Sequence, residues 1–389
     1  MRAYLDYNAT TPVAPEVLDA MLPYFSDVYG NASSIHSPGQ QARLAVEEAR
    51  ESVARLIGAK PAEIVFTSCG TEADNLAIFG IAAGASHKRH VITTAIEHHA
   101  VLHACEKLQS GGVDVSFVPV GSDGIVNPGD VRRALRPETV LISVMHANNE
   151  LGTIQPALQI AEIAREADIY FHTDAVQSAG KLPIDVNQLG VDLLSLSAHK
   201  IYGPKGTGAL YVRTGTKLQP IQFGGHHERD RRPGTENVAG IVGLGRAADI
   251  AARSLSFDGP RIGALRDHLE NSLLSAVSQC HVNGSRTSRV SNTSNMTFSF
   301  AEGESLVIGL DLRGIACSTG AACSSGAVEP SHVLRAIGLP AEAGRSSVRF
   351  SLGRGTTAAE IDYAIATIPQ VVANLRELSP AYGKTATLR

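Results

Sequence analysis

The sequence predicts an α/β protein in which a large domain with a mainly parallel sheet covered by helices is joined to a smaller α+β C-terminal domain. Three observations lead there. Between residues 63 and 213, short β-rich apolar runs follow one another, several of them separated by segments of helical periodicity. Strands that are apolar throughout, rather than alternating, are covered on both faces, as in parallel sheets. Near "AADIAARSLSFDGPRIG" this pattern gives way to long helices interleaved with a few strands, and 389 residues are too many for one small core.

Taken in order, "EIVFTS" (63–68) is a strand, and a helix begins near "TEADNLAIFG". "HVITTA" (90–95) precedes the helical "HHAVLHACEKLQ", "VSFVPV" (115–120) precedes "NPGDVRRAL", and "TVLISVMH" (139–146) precedes "QPALQIAEIAREA". "IYFHTDA" (169–175), "VDLLSLSA" (191–198) and "GALYVR" (208–213) complete the sheet. Further on come the helices "RIGALRDHLENSLLSAV" and "TTAAEIDYAIATIPQVVANLREL" and the strands "NMTFSF" and "SSVRFSLG". The domain boundary is expected near residue 255. Residues 15–255 then form the large domain, and 1–14 with 256–389 the small one.

The composition, 43% hydrophobic with 37 Gly and 18 Pro, is that of a globular chain. A formal net charge of −4 gives no basis for direct nucleic-acid binding. No apolar run is long enough to span a membrane, and "MRAYLDYNATTPVAPE" lacks the apolar core of a secretory signal. Five scattered Cys argue against a disulfide framework and for a reducing cytoplasm.

In open α/β sheets, ligands bind beyond the carboxyl ends of the strands, so the polar residues that follow each strand are the candidates. After 63–68 comes "CGTEADN". Gly70 permits a tight turn and Thr71 stands where a helix begins, which either binds a phosphate or is an ordinary N-cap. Asp174 ends the apolar run 169–175, where its carboxylate needs a partner: a cationic ring nitrogen, an arginine or backbone N–H groups. Lys200 follows Ser197 and His199. At a buried strand end it loses its proton easily and suits Schiff-base chemistry, whereas a lysine that snorkels to solvent has no such role. As a set, Thr71, Ser197 and His199 for a phosphate, Asp174 for a pyridinium and Lys200 for an aldehyde are the parts of a pyridoxal phosphate site. His98, in "TTAIEHHAV", is the candidate to lie flat against the ring.

These residues sit in stretches that resemble a known family. "YLDYNATTPV", "EIVFTSCGTEADNLAI", "EHHAVL", "SVMHANNELGTIQP", "HTDAVQSAGKLPID", "SAHKIYGPKGTGALYV", "RRPGTENVAGIVG", "ACSSGAVEPSHVLRAIGL" and "SSVRFSLGRGTT" resemble the cysteine desulfurases. These form part of class V of the fold-type I, pyridoxal-phosphate-dependent aminotransferase superfamily. The resemblance runs from about residue 3 to about residue 380. It implies that Lys200 carries the cofactor as an imine, Asp174 pairs with its ring nitrogen and Gln177 with its ring hydroxyl. By the same resemblance His98 stacks on the ring and assists proton transfer, and Gly70, Thr71, Ser197 and His199 surround the phosphate. Thr235 of "RRPGTEN" matches a threonine that reaches the neighbouring subunit's phosphate, which implies a homodimer with shared sites. Asn149 is implied at the cofactor or substrate, and Arg349 at the substrate carboxylate, a task suited to a two-pronged donor. No resident metal is implied.

Cys323 lies in "STGAACSSGAVEPSH" (318–332), a run of Ser, Gly and Ala. Alone, a Cys there is an incidental small residue. By resemblance it is the nucleophile, on a catalytic loop at about 317–330. It takes the sulfur of L-cysteine as a persulfide, leaves L-alanine, and passes the sulfur to an acceptor protein such as an iron–sulfur scaffold or a nucleic-acid thiolation or phosphorothioation enzyme. A tether of small residues is expected to swing between these places. In some relatives this cysteine transiently joins an acceptor-bound cluster. The competing activities are selenocysteine lyase and cystine C–S lyase, neither of which needs a tethered thiol. A non-catalytic partner protein has no reason to keep Lys200, Asp174, Cys323 and Arg349 together.

The remaining signals are weaker. Cys69 stands where relatives have Gly or Ala, and His36 in "GNASSIHSPG" has no assigned role. Cys317 is either a core residue or a disulfide partner of Cys323 under oxidation, while Cys105 and Cys280 are expected to pack. His226, His227 and Glu228 in "GGHHERDRR" are adjacent, which is a poor metal-ligand spacing. The short end "LSPAYGKTATLR" differs from relatives that dock a scaffold through a longer tail.

Overall fold

The computed structural model describes residues 1–85, 89–319, 331–379 and 382. Strand β1 (Ala3–Tyr4) opens the chain, followed by helices α1 (Pro15–Met21), α2 (Pro23–Ser26) and α3 (Ser37–Leu56). The central part runs β2 (Ile64–Thr67), α4 (Gly70–Gly84), β3 (His90–Thr94), α5 (His99–Ser110), β4 (Asp114–Val118), α6 (Pro128–Ala134) and β5 (Thr139–Ser143). It continues with α7 (Ala157–Glu166), β6 (Tyr170–Asp174), α8 (Val186–Leu189), β7 (Leu193–Ser197) and β8 (Gly208–Val212). Helix α9 (Val238–Ala276) leads to β9 (Cys280–Val282), β10 (Thr293–Phe298), α10 (Gly303–Asp311) and β11 (Ile315–Ala316). Helices α11 (His332–Ala336) and α12 (Ala341–Arg345), strand β12 (Ser347–Ser351) and helix α13 (Ala358–Glu377) follow.

The seven strands foreseen between residues 63 and 213 form one sheet, in the order β2-β8-β7-β6-β5-β3-β4. From β7 to β4 all neighbours are parallel, and β8 runs antiparallel to both β2 and β7. Successive residues serve opposite layers, as the pleat requires. Ile92, Ile142, Phe171 and Leu194 join one core with residues of α3, α7 and α9. Val91, Leu141, Leu193 and Leu210 join another with residues of α4 and α5. Each such side chain, fully buried, contributes about 1.5–3 kcal/mol, which is why these strands carry apolar residues on both faces.

A second sheet, β12-β10-β9, is antiparallel and packs with α10, α13 and the end of α9. Ala3 and Leu5 belong to this core, so the chain starts there and then crosses toward the large sheet. Residue 255, the expected boundary, falls inside α9. Ala247, Ala248 and Ala251 pack in the large core, and Ile262, Leu269 and Leu273 in the small one. The helix runs unbroken through "SFDGP" because both of its halves are anchored, and Pro260 sits where α9 is exposed. His36 caps α3, its Nδ1 accepting from Gly39 N at 3.4 Å. No helix among the described residues is long and apolar enough to cross a membrane.

The segment before α9 is tied down by a buried ion pair. Arg50 of α3 donates twice to Glu228, at 2.8 Å each, and Glu228 Oε2 also accepts from Phe66 N at 2.8 Å. Both side chains are 4% exposed. Glu228→Ala removes both short carboxylate contacts and leaves Arg50 only the half-exposed Glu47, at 3.3 Å, and is expected to lower unfolding free energy by about 3 kcal/mol, read from denaturant titration. An unchanged midpoint would contradict this.

Candidate active site

The carboxyl ends of β2, β3, β5, β6 and β7 share one edge of the sheet, because β8 reverses the direction twice between β2 and β7. A cavity of about 270 Å³ opens at that edge. Its wall brings together Gly70, Thr71, His98, Asn149, Asp174, Gln177, Ser197, His199, Lys200 and Arg349. Thr235 is not among them; it lines a separate cavity of about 260 Å³ with Thr207, Arg232 and Glu236. Cys323 lies outside the described residues.

The N-terminus of α4 faces the cavity through Gly70 and Thr71. Cys69 is its N-cap, Sγ accepting from Glu72 N at 3.4 Å. A Cβ on Gly70 would stand 2.8 Å from Val176 Cγ2, so glycine alone lets the strand loop and the helix approach this closely. Opposite it, Ser197 Oγ is buried without a hydrogen-bond partner. His199 Nδ1 lies 3.1 Å from Thr10 Oγ1, and burial with the nearby Lys200 charge pushes its pKa down to about 4.

Lys200 ends the short turn after β7. Its Nζ donates to Asn8 O at 2.5 Å and to Ala9 O at 2.8 Å. Asp174 ends β6, and its Oδ1 accepts from Val176 N at 2.8 Å. Burial pushes its pKa up to about 6. Asp74 of α4 is buried beside the same cavity, and burial together with the Asp174 charge raises its carboxyl as well. Two carboxyls so placed resist ionising together, and a cation arriving at the cavity floor relieves both.

His98 caps α5, its Nδ1 accepting from Ala100 N at 3.1 Å. Burial, reinforced by Lys200 and the neighbouring histidines, pushes its pKa down to about 4. It is therefore uncharged at neutral pH, with its proton on Nε2. Arg349, in β12, is 2% exposed. Its Nη2 donates to Asp6 Oδ1 at 2.7 Å and its Nη1 to Asn149 O at 3.0 Å, while Nε and Asn149 Oδ1 are buried without partners.

Sequence reasoning missed four participants. Asn8 supplies the carbonyl that holds Lys200; it lay in a quoted motif, but nothing local indicated a crossing from the small core. Glu150 and His332 also line the cavity. Glu150 Oε2 accepts from Ser331 Oγ at 2.6 Å, and His332 Nε2 donates to Glu97 O at 2.9 Å. The acid of "NNE" and the "SH" after the cysteine run were the available signals. Lys181 stands behind the wall, bonded to Gln177 and Asn8.

Of the lesser candidates, Cys317 packs in the small core and burial raises its thiol pKa. Cys105 is buried and Cys280 partly so, each pushed up to about 12. Glu228 is committed to Arg50, and His226 Nδ1 lies 2.5 Å from Asp230 Oδ1. Among the described residues no group of three His, Cys, Asp or Glu could hold a metal.

Comparison with known proteins places the chain in a family. The class-V aminotransferase family matches residues 3–364. The cysteine desulfurase IscS of Dictyoglomus turgidum is 50% identical over 378 residues, 97% of this chain and 96% of its own. A solved NifS-like protein is 38% identical with a TM-score of 0.90, over 96% of this chain and 100% of its own. The structure of SspA in complex with cysteine is 41% identical with a TM-score of 0.81, over 91% of this chain and 100% of its own. The chain belongs to the class-V aminotransferase family, among its cysteine desulfurases.

Proposed function

We propose that the cavity holds pyridoxal 5′-phosphate, the cofactor of this family, and that the chain removes sulfur from L-cysteine, leaving L-alanine, with Cys323 as first acceptor. One observation carries the reading: an amine, a buried carboxyl, an uncharged imidazole, a helix N-terminus and a guanidinium face a single cavity. The donor set fits the cofactor. The first turn of α4 and the unpartnered Ser197 Oγ suit a phosphate. Asp174 suits a protonated ring nitrogen, whose charge offsets the burial that otherwise raises its pKa. Gln177 is the partner for the ring hydroxyl, and His98 the residue for the ring face. When bound, the cofactor supplies an aldehyde for the substrate amine and an electron-poor ring that draws electrons from the α-carbon.

The chain's residues supply the rest. The Lys200 amine rests on two carbonyls at the cavity wall, and in its neutral form it is the group to attack a carbonyl carbon or take an α-proton. His98 holds a proton at Nε2 that it can give and recover. Arg349 Nε–H is the unpartnered buried donor for the substrate carboxylate, while the unpartnered Asn149 Oδ1 can only accept and suits a donor group of the cofactor or substrate. The Cys323 thiolate attacks the substrate sulfur; an S–S bond forms as the C–S bond breaks, and its electrons return to the carbon skeleton, which is protonated to L-alanine. The persulfide sulfur passes to an acceptor protein, an iron–sulfur scaffold or a thiolation enzyme. A thiol that must be reduced between turnovers suits the cytoplasm.

Thr235 lies in a different cavity from Lys200, which supports the reading that it serves a partner subunit in a homodimer. Mixing Thr235→Ala and Lys200→Ala subunits is then expected to restore activity that neither has alone. Absence of any restoration would count against shared sites.

The test of the reaction is product analysis. L-cysteine is expected to give one L-alanine per sulfur released. Alanine from L-selenocysteine only, or pyruvate from L-cystine, would assign the chain to one of the alternative lyases. Arg349→Ala is expected to raise KM for L-cysteine about 10–100-fold, the loss of one or two charged hydrogen bonds, with the cofactor absorbance unchanged.

A further inference from the structure

Lys181 has no part in the chemistry above, yet its amine is tied into the site. Nζ donates to Gln177 Oε1 at 2.7 Å and to Asn8 Oδ1 at 3.0 Å. Gln177 Nε2 donates to Asn8 O at 2.9 Å, the carbonyl that also receives Lys200 Nζ. An ammonium only donates and a peptide carbonyl only accepts. The Gln177 amide therefore has one orientation that satisfies both, with oxygen toward Lys181 and nitrogen toward Asn8. Asn8 is held from its other sides by Thr293 and Asn292.

Lys181 does not line the main cavity. It lines a smaller one of about 40 Å³ on the far side of Lys200, which borders both. The residue is half-buried. Its partners are amide oxygens, not a carboxylate, and burial with the Lys200 and Arg349 charges lowers its pKa well below the usual lysine. Placing an amine here is costly, and an apolar side chain would have spared that cost.

We propose that Lys181 is a positioning residue: by holding Gln177 Oε1 and Asn8 Oδ1 it presents the Gln177 N–H group to the cofactor and steadies the carbonyl on which Lys200 rests. This rests on the reading that Gln177 faces the cofactor. In Lys181→Met, Gln177 Oε1 loses its donor and the amide is free to turn over, while Asn8 Oδ1 keeps only Asn292 Nδ2.

The test titrates cofactor-free variants with pyridoxal 5′-phosphate and follows the imine absorbance, with thermal unfolding of each variant to register any folding defect. Lys181→Met is expected to bind about tenfold more weakly with a shifted band, and Gln177→Ala to lose a similar factor. Lys181→Arg, which restores donors and has the rear cavity to grow into, is expected to return to within about threefold of wild type. Adding Lys181→Met to Gln177→Ala is expected to cost much less than the product of the two single losses, since the Gln177 amide is common to both and only the Asn8 contact is left to lose. A multiplied loss in the double variant, wild-type affinity and absorbance in Lys181→Met, or an arginine variant no better than methionine would overturn the proposal while leaving the Gln177 reading intact. Wild-type binding by Gln177→Ala would overturn both.

Discussion

Lys200→Ala is expected to yield a folded protein without the yellow imine absorbance and with L-cysteine turnover lowered about 1,000-fold or more, the scale of losing a nucleophile that also moves protons. Among the described residues, Lys200 is the one lysine in the wall of the main cavity. Lys181, the nearest substitute by bonding, reaches only the rear cavity and is already committed to two oxygens. Borohydride reduction of the wild-type protein should therefore fix the cofactor to the peptide containing Lys200. An adduct on Lys181 or elsewhere would displace Lys200 from its role, and with it the significance of the Asn8 and Ala9 carbonyls.

Cys323→Ala is expected to retain the imine absorbance and to lose L-alanine formation almost completely, again by about 1,000-fold or more. The described residues on either side of Cys323 are joined to the site. Ser318 pairs with Arg349 through both backbone groups, at 3.2 and 2.6 Å, and Ser331 donates to Glu150 Oε2. No described thiol offers a replacement. Cys69 lines the cavity, but its sulfur caps α4. Cys317 is packed in the small core with its thiolate disfavoured by burial. Cys69→Ser, which keeps a capping atom, is accordingly expected to remain within about threefold of wild-type activity. The opposite pattern, an active Cys323→Ala and an inactive Cys69→Ser, would move the nucleophile to the helix cap.

Much of the site was legible because most of its residues, Arg349 apart, sit at the end of a strand that is apolar on both faces or within a few positions beyond it. Asp174 and Lys200 were visible for that reason: a charged group at the end of a buried run needs an explanation. The parallel sheet could be read from the same runs, since strands covered on two sides carry no alternation. What stayed hidden depends on contacts distant in sequence. Asn8 meets Lys200 across 192 residues, because Ala3 and Leu5 are rooted in the small core and the chain then passes under the large one. Nothing local to "DYNAT" encodes that crossing. The continuity of α9 was hidden too. A domain boundary near residue 255 was expected from the change of pattern, whereas the helix continues through it with its flanks anchored in two cores. Glu228 was weighed as a poor metal ligand, and its place opposite Arg50 came from the fold.

The central claim is that sulfur leaves L-cysteine onto Cys323. Its most direct test is a single turnover of the cofactor-loaded protein with L-cysteine and no reductant. L-alanine is quantified, and the Cys323 peptide is weighed by mass spectrometry. The account predicts one added sulfur atom on that peptide for each alanine released. Alanine or pyruvate without added mass at Cys323, or with the mass at Cys69, would contradict it.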